Sequence, residues 1–282
     1  MTEQIILVTG STDGIGKATA HALSRQGHRV LLHGRNPEKG RTVLAELEGA
    51  TGSDLHALFI ADLSVQEQVR GLAEDIAGAY DRLDVLINNA GVFMPEREVA
   101  PGGIETTFAV NFLAQFLLTH ELLPLLKGSA PARIVNVASI AHRSAGSIDW
   151  RNLPGFPSYD AYDAYAISKV GVIAFTARLA RTLEGTGVTA NCLHPGVINT
   201  KLLRAYTHNG GEGAPPERGA EVVTYLATSP DAGAVNGGYF EESRWTRPSS
   251  LALDVGTQER FWEMGSSLTG AVQRADPKAY AR

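Results

Sequence analysis

Of the three tyrosines between Ser158 and Lys169, only Tyr165 has a lysine four residues further on, at Lys169. In a helix that spacing puts phenol and ammonium on one face, about one turn apart. A free tyrosine titrates near ~10, and bringing it to roughly 7 costs about 4 kcal/mol. One positive charge at ~4 Å in an effective dielectric near ~20 supplies about that much before desolvation is subtracted. Lys169 alone is therefore marginal, and a second cation in the site would complete the shift. A tyrosine held this way is a candidate general acid and base. The competing reading is an ordinary amphipathic helix, so the surrounding elements have to decide.

Gln4 to Thr9 is a short apolar run that reads as a buried parallel strand. Gly10, Ser11, Thr12, Asp13, Gly14, Ile15 and Gly16 then form a glycine-rich turn opening an Ala-rich helix. Such a turn lets backbone amides at a helix N-terminus face a pyrophosphate. A second strand, Arg29 to His33, leads to Arg35 and Asn36. An acid in that window would suit a free ribose 2'-hydroxyl, whereas an arginine suits a 2'-phosphate, so Arg35 favours NADP(H) and leaves NAD(H) as the lesser choice. An oxidised nicotinamide would also be the missing second cation.

Strand and helix keep alternating. The pattern predicts helices over Pro37 to Glu48, from an N-cap at Ser64 to Tyr80, and over Thr106 to Leu126. Strands are predicted at His56 to Ile60, Asp84 to Ile87, Arg133 to Ala138, Val188 to His194 and Gly237 to Phe240. The Tyr165 helix runs to about Glu184, after an irregular excursion from Arg143 to Pro157. This rhythm argues for a single-domain α/β fold over 1–282, a doubly wound parallel sheet of about seven strands with helices on both faces and the ligand at the strand C-termini. The segment 201–216 reads as a mobile loop over the substrate, and 241–282 as a C-terminal extension near its pocket. The apolar helices around Phe116 and Phe175 could pair in a homodimer or be covered within one chain.

Composition narrows the function. Of the 282 residues, 44% are hydrophobic and 20% charged, with a net charge of −5 and dispersed Lys and Arg, so nucleic acid is not an expected partner. The lone Cys192 lies in an apolar strand and reads as a packed thiol. Eight scattered histidines give no metal-ligand spacing. Neither a leader nor a membrane span is expected, since Glu105, Asn111, Gln115, His120 and Glu121 interrupt the most apolar stretch, and the protein is expected to be cytoplasmic.

Taken together, the turn from Thr9 to Gly16, Asp62 with Leu63, Asn88 to Gly91, Ser139, Tyr165 with Lys169, and Pro195 and Gly196 with Thr200 resemble the short-chain dehydrogenase/reductase family. Gly14 to Lys17, Asn111 to Leu126, Asp149-Trp150, His194 to Gly196, Gly238 to Phe240 and Phe261-Trp262 resemble its retinol-dehydrogenase-like branch. The resemblance implies that Tyr165 exchanges a proton with the substrate oxygen, and that Ser139 hydrogen-bonds that oxygen. Lys169 would hold the ribose and lower the phenol pKa, and Asn111 would position a relay water. It also implies cofactor contacts from Asn36, Asp62, Leu63, Asn89, Ala90, Gly91, Pro195, Gly196, Val197 and Thr200. The expected activity is hydride transfer between NADP(H) and an apolar or aromatic carbonyl or alcohol. A non-catalytic dinucleotide-binding scaffold or redox sensor is the alternative. Two residues depart from the family pattern: Asp13, where NADP-preferring relatives often carry a base, and Ala114 in place of a frequent Gly.

Overall fold

The computed structural model describes residues 3–208 and 211–271, so the parts of the expected loop and tail at 209–210 and 272–282 lie outside the described residues. The chain opens with β1 (Ile5–Val8), α1 (Gly14–Arg25), β2 (Arg29–Gly34), α2 (Pro37–Thr51), β3 (Ala57–Ile60), α3 (Gln66–Ala79) and β4 (Val85–Asn88). A small hairpin, β5 (Val99–Ala100) and β6 (Ile104–Glu105), precedes α4 (Thr106–Phe108), a π-helical turn at Ala109–Leu113 and α5 (Ala114–Gly128). Then come β7 (Ala132–Val137), a 3-10 turn at Ile140–Arg143, α6 (Ala161–Thr182), β8 (Val188–His194) and α7 (Lys201–Tyr206). The described chain ends with α8 (Pro216–Thr228), α9 (Pro230–Gly233), β9 (Tyr239–Glu241), β10 (Arg244–Trp245), α10 (Ser250–Leu253) and α11 (Val255–Thr269).

Among the described residues, eight strands form one sheet in the order β10-β9-β8-β7-β4-β1-β2-β3. Seven run parallel, and β10 pairs antiparallel with β9 at the edge. The apolar run Ile6 to Val8 is fully buried because β1 lies between β2 and β4, with Leu7 opposite both Leu31 and Leu86. Strand order reverses beside β1, which opens a crevice between the loops after β1 and β4. On one face α1, α2 and α8 pack through Leu23, Val43 and Val223; the other carries α3, α5 and α6.

Local signals explain most boundaries. Asn36 caps α2 by accepting from the Lys39 amide, Pro37 follows in the first turn, and Gly52 ends the helix at φ 69°. The expected cap at Ser64 is not formed. Helix α3 starts two residues later without a side-chain cap, because the Ser64 amide and hydroxyl both donate to Asp62 Oδ1, at 2.9 and 2.7 Å. The continuous run Thr106–Gly128 is long and apolar enough to cross a membrane, and most of it is buried inside this fold.

Helices α3 and α6 and the sheet cover much of that run, and α11 adds an aromatic cover. Phe261 lies against Phe112 with ring centroids 5.2 Å apart, Trp262 against Phe116 at 5.5 Å, and Gly265 leaves no room for a Cβ beside the Phe116 ring. Phe116 and Phe175 are both fully buried, so the face that could have paired with a second copy is covered within one chain. Cys192 is a free, buried thiol.

Candidate active site

A cavity of about 850 Å³ opens at the C-terminal ends of the strands. It runs from Arg35 and Lys39, past the glycine turn, to Ser139, Tyr165 and Lys169. Gly10 sits at φ 65°, and a Cβ there would lie 2.9 Å from Ala90 Cα. At Gly16 a Cβ would come within 2.3 Å of the Gly10 carbonyl oxygen, so α1 can start tight against the turn only with glycine. The Thr9 hydroxyl accepts from the Asn89 and Ala90 amides at 2.9 and 3.0 Å, locking the two crevice loops together.

His33, at the end of β2, accepts from the Gly10 amide through Nδ1 at 3.2 Å and faces the Ala61 carbonyl through Nε2 at 3.2 Å. Burial pushes it down to about 4, and a neutral ring with its proton on Nε2 satisfies both contacts. Ser11 is spoken for as well. Its hydroxyl accepts from the His33 amide at 2.9 Å and donates to the His33 carbonyl, and Ser11 does not line the cavity. Every other expected cofactor-contacting residue does, from Gly10 to Thr200.

At the far end, Ser139 caps the 3-10 turn after β7, accepting from the Ala141 amide, while Tyr165 and Lys169 sit one turn apart on α6. Burial pushes the Tyr165 phenol up to about 12, and the Ser139 hydroxyl works against that rise. Lys169 contributes no lowering. Its Nζ donates to the Val137 carbonyl at 2.9 Å and lies 5.6 Å from the centre of the Tyr165 ring, and burial pushes it down to about 7. A lysine pushed down to about 7 is uncharged at the high pH where this buried phenol ionises, so it cannot favour the phenolate there. An ammonium has three donors, and Val137 takes one, so this 2% exposed group retains capacity for further acceptors in the cavity.

Asn111 does not line the cavity. It sits within the π-helical turn, where its amide donates to the Val92 carbonyl at 2.9 Å and to Ser168 Oγ at 3.1 Å and accepts from the Val92 amide at 2.8 Å. With both ends engaged, it ties the loop after β4 to α6.

Residues not foreseen complete the site. Phe93 and Tyr206 lie 5.8 and 5.7 Å from the Tyr165 ring and 5.1 Å from each other, forming an aromatic wall. Behind Ser139, the buried His142 hydrogen-bonds the Ser139 carbonyl through Nδ1 at 2.7 Å and accepts from the Ser249 amide through Nε2 at 3.0 Å. Through Ser249 the C-terminal segment reaches the site, although no described residue beyond Tyr206 lines the cavity. Lys39 and Lys201 also line it. Lys39 lies four residues beyond Arg35, a signal present in the sequence, and Lys201 and Tyr206 fall within the segment 201–216 expected over the substrate, whereas nothing local announces Phe93.

The family model "short chain dehydrogenase" matches residues 4–210, and the chain belongs to that family of alcohol and carbonyl oxidoreductases. Its full-length likeness is to retinol dehydrogenases. It is 36% identical to retinol dehydrogenase 12 of Mus musculus over 274 residues, covering 95% of this chain and 86% of that one. Against retinol dehydrogenase 13 of Homo sapiens it is 37% identical over 282 aligned residues, covering 94% and 84%. A short chain dehydrogenase from Escherichia coli CFT073, solved in complex with NADPH, superposes with a TM-score of 0.70 at 30% identity, covering 86% of this chain and 98% of that one.

Proposed function

We propose that the protein is an NADP(H)-dependent oxidoreductase that interconverts apolar or aromatic carbonyls and alcohols. The observation that carries this reading is one continuous cavity with Arg35 at one end and Ser139, Tyr165 and Lys169 at the other. The residues fit a dinucleotide: a basic end, a closely packed glycine turn in the middle, and a buried ammonium with spare donors for a ribose diol. Its bound nicotinamide would supply or accept the hydride.

In reduction, Tyr165 gives its phenolic proton to the substrate oxygen as that oxygen gains charge, and the Ser139 hydroxyl donates a hydrogen bond to the same atom. In oxidation the phenolate must form first. A phenol near 12 makes that costly, and a positive charge brought into the cavity would lower the cost. Lys169 would orient the ribose. A relay water near Asn111 would have to be held by the main chain of the π-helical turn, since the side-chain amide is engaged. Phe93 and Tyr206 make the wall beside Tyr165 largely apolar, and Val110 lines the same cavity, which favours apolar or aromatic substrates.

The test is NADPH oxidation followed by absorbance against aliphatic, aromatic and polyene aldehydes and ketones. Tyr165→Phe should remove nearly all turnover while NADPH still binds, and retained turnover would sink the assignment. Arg35→Ala should weaken NADPH far more than NADH.

A further inference from the structure

Asp13 is the odd residue in the glycine turn, because a carboxylate there suits a free ribose hydroxyl and repels a phosphate. The fold does not leave it unmatched. Lys201, the first residue of α7, places Nζ 2.5 Å from Asp13 Oδ2. This contact is supported by packing, since the Thr200 methyl group sits 3.0 Å from where a Cβ on Gly14 would lie. Farther along, Gly219 of α8 is packed on Ile15, and the Asn199 amide is bonded to the Ala214 carbonyl, so the stretch around α7 is moored to the glycine turn. Lys39 from the first turn of α2 completes the group, and it senses both Lys201 and Asp13. Five charges therefore line one end of the cavity: Arg35, Lys39 and Lys201 against Asp13 and Asp62. Arg35 lies 3.5 Å from Asp62 and remains 79% exposed.

We infer that Lys201 is a specificity residue that neutralises Asp13 and so turns this corner of the cavity into a 2'-phosphate site. The inference rests on the NADP(H) reading above and assigns its charge balance to residues more than 160 positions apart in the chain. With Lys201 in place the corner carries a net charge of +1, three cations against two carboxylates; without it the net is zero and the Asp13 carboxylate is freed to accept from a ribose hydroxyl. Lys201 already holds the Asp13 carboxyl below its ordinary range.

The test is equilibrium binding of 2',5'-ADP and 5'-AMP, which differ by the 2'-phosphate alone, measured by calorimetry on the full chain and on three variants. All the altered side chains are surface groups, and circular dichroism checks the fold. Lys201→Ala should lower the affinity ratio of 2',5'-ADP to 5'-AMP about tenfold, roughly 1.4 kcal/mol. Asp13→Asn should keep or raise it, and the Asp13→Asn/Lys201→Ala double variant should return close to the parent ratio. An unchanged ratio in Lys201→Ala overturns the inference while leaving the NADP(H) reading intact. A fall that the double variant does not restore overturns the role given to Asp13. A parent protein with no preference for the 2'-phosphate removes the NADP(H) reading itself, and the inference with it.

Discussion

Lys169→Met offers a direct measurement of how deeply the site lysine is desolvated. In the native protein burial brings the ammonium from 10.5 down to about 7, whereas in the unfolded chain it titrates normally. Between those values the unfolded state holds more protons, so wild-type stability should rise with pH. Keeping Lys169 charged or forcing it neutral costs about 4 kcal/mol of stability at pH 7 and about 1 kcal/mol at pH 9.5. The penalty is absent in Lys169→Met. Wild type should therefore gain about 3 kcal/mol on the variant across that range, with all other titrating groups cancelling in the difference. Urea unfolding of both proteins at pH 7, 8 and 9.5, followed by tryptophan fluorescence and circular dichroism, reads this directly. If the two stability curves stay parallel, the ammonium keeps its ordinary affinity for protons, and the picture of a buried cation waiting for acceptors is wrong.

Three other perturbations test separate parts of the molecule. Phe261→Ala empties a fully buried position between Phe112 and Trp150 and should destabilise by about 3–5 kcal/mol in denaturant titrations, with little effect if α11 is only loosely attached. His33→Gln removes a group whose native pKa of about 4 lies below the ordinary 6.5, so its contribution is present above 6.5 and fades as pH falls toward 4. Wild type should lose about 2 kcal/mol relative to that variant between pH 8 and 5. Tyr206→Ala removes a ring that faces both Phe93 and Tyr165, and should raise KM for apolar substrates about tenfold, a change that initial-rate kinetics would detect.

Much of the architecture could be read from the chain because its parallel strands are continuous apolar runs separated by capped helices, as at Ile5–Val8 and at Asn36 with Pro37. The catalytic candidates were legible for a related reason: the Tyr165 to Lys169 spacing is local, and a helix converts local spacing into shared position. Reading failed where a side chain had two partners to choose from. Ser64 could cap a helix or turn back to Asp62, and it does the second. How Asn111 is engaged was also not legible, since the π-helical turn that aims its amide at the Val92 backbone has no signal in the sequence. The charge balance at Asp13 depends on a contact with Lys201 that no local pattern encodes. Similarly, two-residue strands such as β5 and β10 are too short to show an alternating pattern.

The cover that α11 gives to α5 and α6 also has a consequence during synthesis. Helices α5 and α6 leave the ribosome well before α11, so Phe112, Phe116 and Phe175 form a sticky aromatic surface on the nascent chain until residues 255–269 emerge. For that interval the newborn protein presents the kind of apolar patch that holdase chaperones bind and that other nascent chains aggregate with. A released chain ending before residue 255 should therefore aggregate even though it contains every strand of the sheet and every residue lining the cavity.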